Sequence, residues 1–256
     1  MSNNPQNLSK WISGKGPESD IVISSRIRIA RNLAKFPYPH QAKPDDLKKV
    51  INCVTETKEE KDELSLKFID MDNLDILDKE IMVEKHLISP PHANKNHKRG
   101  LLLNEDEDLS IMINEEDHLR IQILMPGLQL DEAWKKADKT DDLFEEDLDF
   151  AFSKKWGYLS ACPTNMGTGL RSSVMVHLPA LNITNNIEKM LGAVSQLGLA
   201  VRGIYGEGSE SSGNIYQISN QITLGQSEKD IIDNLTSVTL QIIEQERQAR
   251  KRLIEK

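Results

Sequence analysis

The stretch "SSRIRIARN", residues 24–32, limits the fold more than any other part of this chain. Apolar and cationic side chains alternate there with a period of two, as they do along a β-strand buried on one face. Ile27 and Ile29 then point into a core, while Arg26 and Arg28 project together from the opposite face. Parallel guanidinium groups repel, so the strand calls either for solvent around both or for an anion between them. The strand alone leaves both open, and the choice depends on whether other segments supply more of one site.

Composition narrows the partners. The 256 residues carry a net charge of -8, and 28% of them are charged. A mean hydropathy of -0.48 describes an ordinary water-exposed protein with enough chain for a sizeable core. No run has the apolar length of a membrane span, and the start "MSNNPQNLSKWISGKG" lacks the apolar region of an export signal, so the cytoplasm is expected. A pI near 5.4 argues against direct nucleic-acid binding, which needs a dense basic surface. Any anion site must be local. Cys53 and Cys162 are read as free thiols, Cys53 as a packing residue.

Residues 1–20 read as a flexible lead-in, and one domain is expected over 21–256. Leu47, Val50, Ile51 and Val54 have helical spacing after Pro44, whereas "HLISPPHANKNHKRG" (86–100) shows no period and reads as a loop. "GLLLN", "LSIMIN" and "LRIQILM" read as strands, the last placing Arg120 opposite Ile121. A helix follows in "LDEAWKKADKTDDLFEEDL". "YLSACPTNMGTGLRSSVMVHLPAL" reads as strand, glycine-rich loop and strand. A further helix buries Ile187, Leu191, Val194 and Leu197, and Ser227 with Asp230 caps a last helix whose Ile231, Leu235, Val238 and Ile242 face inward. Hairpin-length connections between strands point to an α+β fold, an antiparallel β-sheet flanked by α-helices.

The chain has no GxxxxGK[ST] and no strand-led GxGxxG. It does place isolated arginines at strand or strand-loop positions: Arg26, Arg28, Arg120, Arg171 and Arg202. If these converged they would cradle a polyphosphate, since guanidinium forks bind phosphate oxygens in pairs and stay charged.

"SSRIRIARN", "NEEDHLRI", "CPTNMGTGLRSSV" and "RGIYGEGSE" occur in that order, and together they resemble the phosphagen (guanidino) kinase family from about residue 20 to about 245. The resemblance implies the phosphagen kinase, glutamine synthetase-like catalytic fold and transfer of the ATP γ-phosphoryl group to a guanidinium nitrogen. It places Ser24, Ser25, Arg26, Ile27, Arg28, Arg120, Arg171, Ser172, Ser173, Val174, Arg202, Gly203 and Gly206 around ATP, with His86 near the adenine. It makes Glu116 the carboxylate that orients the guanidinium and takes its proton, Cys162 a soft counter-charge, and Glu207 a further functional carboxylate. Glu115, pointing the other way if this segment is a strand, is read as structural, and Glu228 as a first-turn helix acid. Mg²⁺ would arrive on ATP, with no metal ligands on the protein.

Two departures from the family pattern refine the substrate. The first arginine motif begins at residue 24, without the helical lid domain that closes over a small guanidine, and the stretch usually "SNKRRLG" is here "SNQITLG". One phosphate contact is thus expected to be lost at Thr223, with Arg202 or a lysine compensating. Both departures match the bacterial protein-arginine kinase branch, whose resemblance implies arginines on protein substrates, a stress regulator or repressor and Clp-type protease machinery as partners, a possible activator protein, and a role in stress response and protein quality control. The C-terminal helical domain of that branch is expected to be missing. The alternatives are a kinase for free arginine and a non-catalytic ATP-binding adaptor of a transcription factor or protease.

Overall fold

The structure, a computed structural model, describes residues 8–94, 96–203 and 212–255. A short helix, α1 (Lys10–Ser13), leads into the long strand β1 (Val22–Arg31) and then α2 (Pro44–Glu60). Next come β2 (Lys67–Asp70), α3 (Ile76–Glu84), α4 (Pro90–Asn94) and three strands joined by hairpins, β3 (Gly100–Leu103), β4 (Leu109–Ile113) and β5 (Leu119–Pro126). The chain continues through α5 (Leu130–Glu145), the small hairpin β6 (Phe152–Ser153) and β7 (Gly157–Tyr158), and β8 (Leu170–His177). It ends with α6 (Pro179–Ile183), α7 (Ile187–Gln196), β9 (Leu199–Gly203), β10 (Ile215–Asn220) and the long helix α8 (Glu228–Ile254).

Among the described residues the main sheet has eight strands in the order β2-β3-β4-β5-β1-β8-β10-β9, and each neighbouring pair is antiparallel. This is the α+β architecture expected from the alternation. The strand carrying "SSRIRIARN" lies near the middle. Its Ile27 and Ile29 join Ile121 and Ile123 of β5 and Val174 and Val176 of β8 in the main core, under α5 and α8. Ser227 accepts the Asp230 N–H at 3.1 Å at the start of α8, a cap that contributes about 1 kcal/mol.

The opposite face of the sheet is covered at one end only. Leu101 and Leu103 of β3 and Met112 of β4 pack with Met71, Met82, Leu87 and Ile88 in a second, smaller core, while Leu102 belongs to the main one. The unbroken apolar run "GLLL" thus reflects a strand buried on both faces. Among the described residues no helix lies over the middle of that opposite face, and there the arginines lie.

Four expectations change. Residues 8–20 of the supposed lead-in pack against the fold: Trp11 is buried with its Nε1–H on the Lys85 carbonyl at 3.1 Å. Gly16 lies so close to Pro126 that a Cβ would sit 2.0 Å from its carbonyl oxygen. The segment 86–100 holds α4, because Ser89 Oγ accepts the His92 N–H at 3.1 Å and Pro90 and Pro91 suit a first helical turn. In α7 it is Met190 that is buried and Leu197 that is 51% exposed, since the helix stops at Gln196. Finally, β2, α3 and α6 occupy segments in which no period had been read.

Candidate active site

The strand register assembles the arginine row. Arg28 of β1 stands directly opposite Arg171 of β8, and Ala30 opposite Arg120 of β5. Arg26 stands opposite Ser173, while Gln217 of β10 stands opposite both Met175 and Arg202 of β9. Directly opposed residues share a face, so four strands contribute to one cationic surface. Gln217 bridges it, its Oε1 accepting from Arg26 Nη2 at 2.8 Å.

This surface carries an electrostatic cost. Burial, reinforced by Arg120 and Arg171, lowers Arg26 to about 10, and burial with Arg26, Arg120 and Arg171 holds Arg28 well below its ordinary value. Glu115 opposes that effect on Arg28 and also pairs with Arg120 at 3.3 Å. The Nε of Arg28 is buried without a hydrogen-bond acceptor. A buried, unsatisfied cationic donor facing other cations is what a tightly held polyanion would satisfy.

At one end of the row, Ser24, Arg26, His86, Ser173, Met175 and Gln217 line a narrow cleft. His86 sits in the left-handed region at φ 57°, and the Trp11 ring meets it edge-on at 5.4 Å between centroids. Burial and then Arg26 lower the His86 imidazole, which favours its neutral form. A neutral ring beside a serine and a glutamine suits a flat, polar-edged base.

At the other end, Glu115, Glu116 and Asp117 lie in the turn between β4 and β5, outside regular strand. Asn114 makes that turn at φ 60° and ties it down by donating to the Leu47 and Lys98 carbonyls at 3.0 and 3.2 Å. Strand alternation therefore does not separate the two glutamates. Glu116 is exposed, whereas Glu115 is buried, accepts from Ser89 Oγ at 2.7 Å and faces Arg120. Both glutamates line a cavity of about 390 Å³ with Ser89, Pro91 and Arg120. The structural reading of Glu115 fits its pairing, but it holds an arginine of the row.

Asp117 was not singled out by sequence, although it lies inside a quoted motif. It is buried and accepts from Asn32 Nδ2 at 2.6 Å, from Ser160 Oγ at 2.8 Å and from the Ala161 N–H at 2.7 Å. Cys162 follows at once, half-buried, with its Sγ 3.0 Å from Thr164 Oγ1. Asp117 thus joins the turn bearing Glu116 to the loop bearing Cys162.

Thr223 explains the missing basic residue. It is buried, its hydroxyl donates to the carbonyls of Thr164 and Met166 at 3.0 and 2.7 Å, and its own carbonyl accepts the Thr168 N–H at 3.0 Å. A Cβ on Gly167, whose φ is 108°, would meet that carbonyl at 2.4 Å. The position thus clasps the glycine-rich loop. From the far side Arg31 secures the same loop, donating to the Thr168 carbonyl at 2.9 Å and to Asp141 at 2.6 Å while stacking on Tyr158, 3.4 Å from the ring centroid.

Several expected ATP contacts have side chains elsewhere. Ile27 and Val174 lie in the main core. Ser25 Oγ donates to the Gly127 carbonyl at 2.8 Å, and Ser172, fully buried, alternates with Arg171 and Ser173 and so lies on the helix-covered face. These four could meet a ligand only through backbone atoms. Gly203 ends β9 opposite Tyr216, while Gly206 and Glu207 lie outside the described residues. Among the described residues no group of three histidine, cysteine, aspartate or glutamate side chains could hold a metal ion. No described helix is long and apolar enough to cross a membrane.

Comparison with known proteins agrees with this geometry. Residues 47–249 match the ATP:guanido phosphotransferase C-terminal catalytic domain. A protein-arginine kinase of Halothermothrix orenii is 64% identical over 249 residues, which are 97% of this chain and 71% of that protein. One of Brevibacillus brevis is 54% identical over 250 residues, 96% of this chain and 70% of that protein. Among solved structures, taurocyamine kinase of Schistosoma mansoni with bound transition-state analogue components superposes with a TM-score of 0.78 at 24% identity, covering 89% of this chain and 33% of that one. Lombricine kinase gives 0.78 at 24% identity, covering 95% and 73%; at this identity both likenesses show the fold. An arginine row along one sheet face, with a carboxylate turn at its end, is therefore the catalytic domain of a known family: the chain belongs to the ATP:guanido phosphotransferases.

Proposed function

We propose that this chain is a cytoplasmic, ATP-dependent protein-arginine kinase, moving the γ-phosphoryl group of Mg-ATP to arginine side chains of protein substrates. The observation that carries this is the shared cavity: Glu116 of the turn and Arg120 of β5 line the same space of about 390 Å³. A carboxylate for the acceptor guanidinium thus lies beside a cation for the phosphate. Relatives named protein-arginine kinase at 64% and 54% identity support the protein substrate.

Each part of the row has a task. Arg26, Arg28, Arg120 and Arg171 would bind the triphosphate, with Arg202 at the margin, and the cleft beside His86 would take the base. Magnesium, held through the phosphates, would neutralise part of their charge. Glu116 would align the acceptor guanidinium by accepting two of its N–H groups. As the bond from the γ-phosphorus to the ADP oxygen breaks, a bond to guanidinium nitrogen forms, and the displaced proton passes to Glu116. Arg28 and Arg120 would stabilise the charge on the transferring group. Cys162, at the end of the loop that Asp117 holds, would face the acceptor from the other side. Substrates would include a stress regulator or repressor and Clp-type protease machinery, with an activator protein, in stress response and protein quality control.

The test is incubation of the chain with Mg-ATP and casein, with Glu116→Ala and Cys162→Ala beside it, and mass spectrometry for acid-labile phosphate on arginine. Phosphoarginine on casein that vanishes with Glu116→Ala is expected. Phosphorylation of free arginine but not of casein would replace the protein-substrate reading, and nucleotide binding without transfer to either would leave a non-catalytic adaptor.

A further inference from the structure

Lys85 and His86 form a corner that is held from two sides. His86 lies at φ 57°, a backbone conformation that costs an L-residue free energy and persists only where its surroundings over-determine it. Gln122 Nε2 donates to the His86 carbonyl at 2.7 Å, and Trp11 Nε1 donates to the Lys85 carbonyl at 3.1 Å. One bond comes from the face of the sheet that bears the arginines, the other from α1.

Trp11 is more than a packed side chain. It is buried but belongs to neither apolar core, and both its indole N–H and its ring go to the corner, the ring meeting that of His86 edge-on at 5.4 Å. Its segment is fastened to the same place: Glu107 accepts from Ser9 Oγ at 2.5 Å and from Lys85 Nζ at 2.9 Å. Gly14, just after α1, lies so close to Pro126 at the end of β5 that a Cβ would meet its Cγ at 2.8 Å. Segment 9–14 is thus a strap wedged against the sheet and tied to the corner.

Gln122 stands directly opposite Arg28 and alternates along β5 with Arg120 and Leu124, so it shares the face of the arginine row. It is buried there, a neutral amide among guanidinium groups, and its donors go to the His86 carbonyl and to Ser110 Oγ, the latter at 3.2 Å. Leu124, two residues on, lines the base cleft with Ser24, Arg26, Ser173, Met175 and Gln217, and all six stand on strands of the main sheet. Among the described lining residues only His86 does not. The width of the cleft is therefore set by where the corner sits, and the corner sits where Trp11 and Gln122 hold it.

We infer that Trp11 and Gln122 are positioning residues for the nucleotide base: through the corner they hold His86 over the cleft, so affinity for the base depends on them while affinity for the phosphates does not. The segment ahead of β1 then belongs to the nucleotide site. The inference rests on reading this cleft as the base pocket of a kinase, but binding alone tests it. Loss of one hydrogen bond that orients a contact changes affinity by roughly 5- to 20-fold.

Isothermal titration calorimetry of the full chain separates the two affinities, with Mg-ATP as one probe and Mg-tripolyphosphate, which carries phosphates and no base, as the other. Trp11→Phe keeps a ring and removes the N–H, and Gln122→Met keeps the length and removes the amide. Each should weaken Mg-ATP by roughly 5- to 20-fold and leave Mg-tripolyphosphate within about twofold. In a His86→Ala background neither substitution should weaken Mg-ATP further, because the effect passes through that ring. A second measurement leaves Trp11 in place: with Trp134→Phe and Trp156→Phe it is the one remaining indole, and its fluorescence should change with Mg-ADP and not with Mg-tripolyphosphate. Equal loss of both ligands, no loss of either, full additivity with His86→Ala, or Trp11 fluorescence indifferent to Mg-ADP would overturn the inference. The expected binding pattern with no phosphoarginine formed on casein would uphold it and sink the kinase reading instead.

Discussion

The carboxylate of Asp117 accepts the backbone N–H of Ala161 at 2.7 Å, and this bond fixes the loop of Cys162 against the turn of Glu116. Asp117→Asn presents an amide where three donors converge, so one contact is lost and the loops separate slightly. Misplacement on this scale costs about 10- to 100-fold in rate. Steady-state kinetics should show that loss in kcat, with KM for ATP nearly unchanged because the bonds of Asp117 go to Asn32, Ser160 and Ala161 and to no arginine of the row.

Arg28 destabilises the empty protein, since its buried Nε has no acceptor and its neighbours are cations. Arg28→Gln should therefore raise the melting temperature without nucleotide by a few degrees, roughly 1 kcal/mol in a domain of this size. The same substitution should erase most of the stabilisation that Mg-ATP gives the wild type. Differential scanning calorimetry with and without nucleotide measures both, and a lower melting temperature for empty Arg28→Gln would refute the argument.

Asp141 makes stability depend on pH in an unusual direction. Burial pushes its carboxyl up to about 6 against the pull of Arg31. The folded protein therefore holds this proton more tightly than the unfolded chain, whose carboxyl titrates at about 3.9. The resulting stability is fully present below that value and is lost as pH rises through about 6. Relative to Asp141→Asn, the wild type should lose stability as pH rises from 4 to 7. Urea unfolding across that range reads the difference, and a constant gap would contradict it.

Thr223→Val removes both hydroxyl bonds to the loop at Thr164 and Met166 while keeping the shape of the side chain. The expected cost is about 1–2 kcal/mol per carbonyl left unsatisfied. Because the loop leads from Cys162 to Arg171, activity should fall more than stability does. Hydrogen exchange of residues 162–169 should rise in the variant, and unchanged protection there would show that Thr223 is not a clasp.

The fold was legible where the alternation was strict. Ile27 and Ile29 could lie inward only if Arg28 between them lay outward, and Ile121 only if Arg120 before it did, so the row followed from the pattern. The strand reading of "LSIMIN" ran one residue too far, and Glu115 was judged by strand alternation, because nothing local marks Asn114 as a left-handed corner until its side chain meets Leu47 and Lys98, both distant in sequence. For the same reason Asp117 and Gln217 escaped notice and Thr223 was singled out only for a lost phosphate contact, since their roles consist of bonds to residues far away in sequence. Trp11 was lost in a glycine-rich lead-in, and only the packed structure shows it behind His86.

The sheet has two cores of unequal size, meeting across strands β3 and β4. The smaller one, under α3 and α4, is anchored by fewer side chains, so it should open locally at a lower free energy than the body of the sheet. Its segments carry His86 and Ser89, one wall of the base cleft and one wall of the cavity of Glu116. The walls that a nucleotide and an acceptor must pass thus belong to the part of the molecule most easily loosened, while the phosphate-binding arginines stand on the part that holds still.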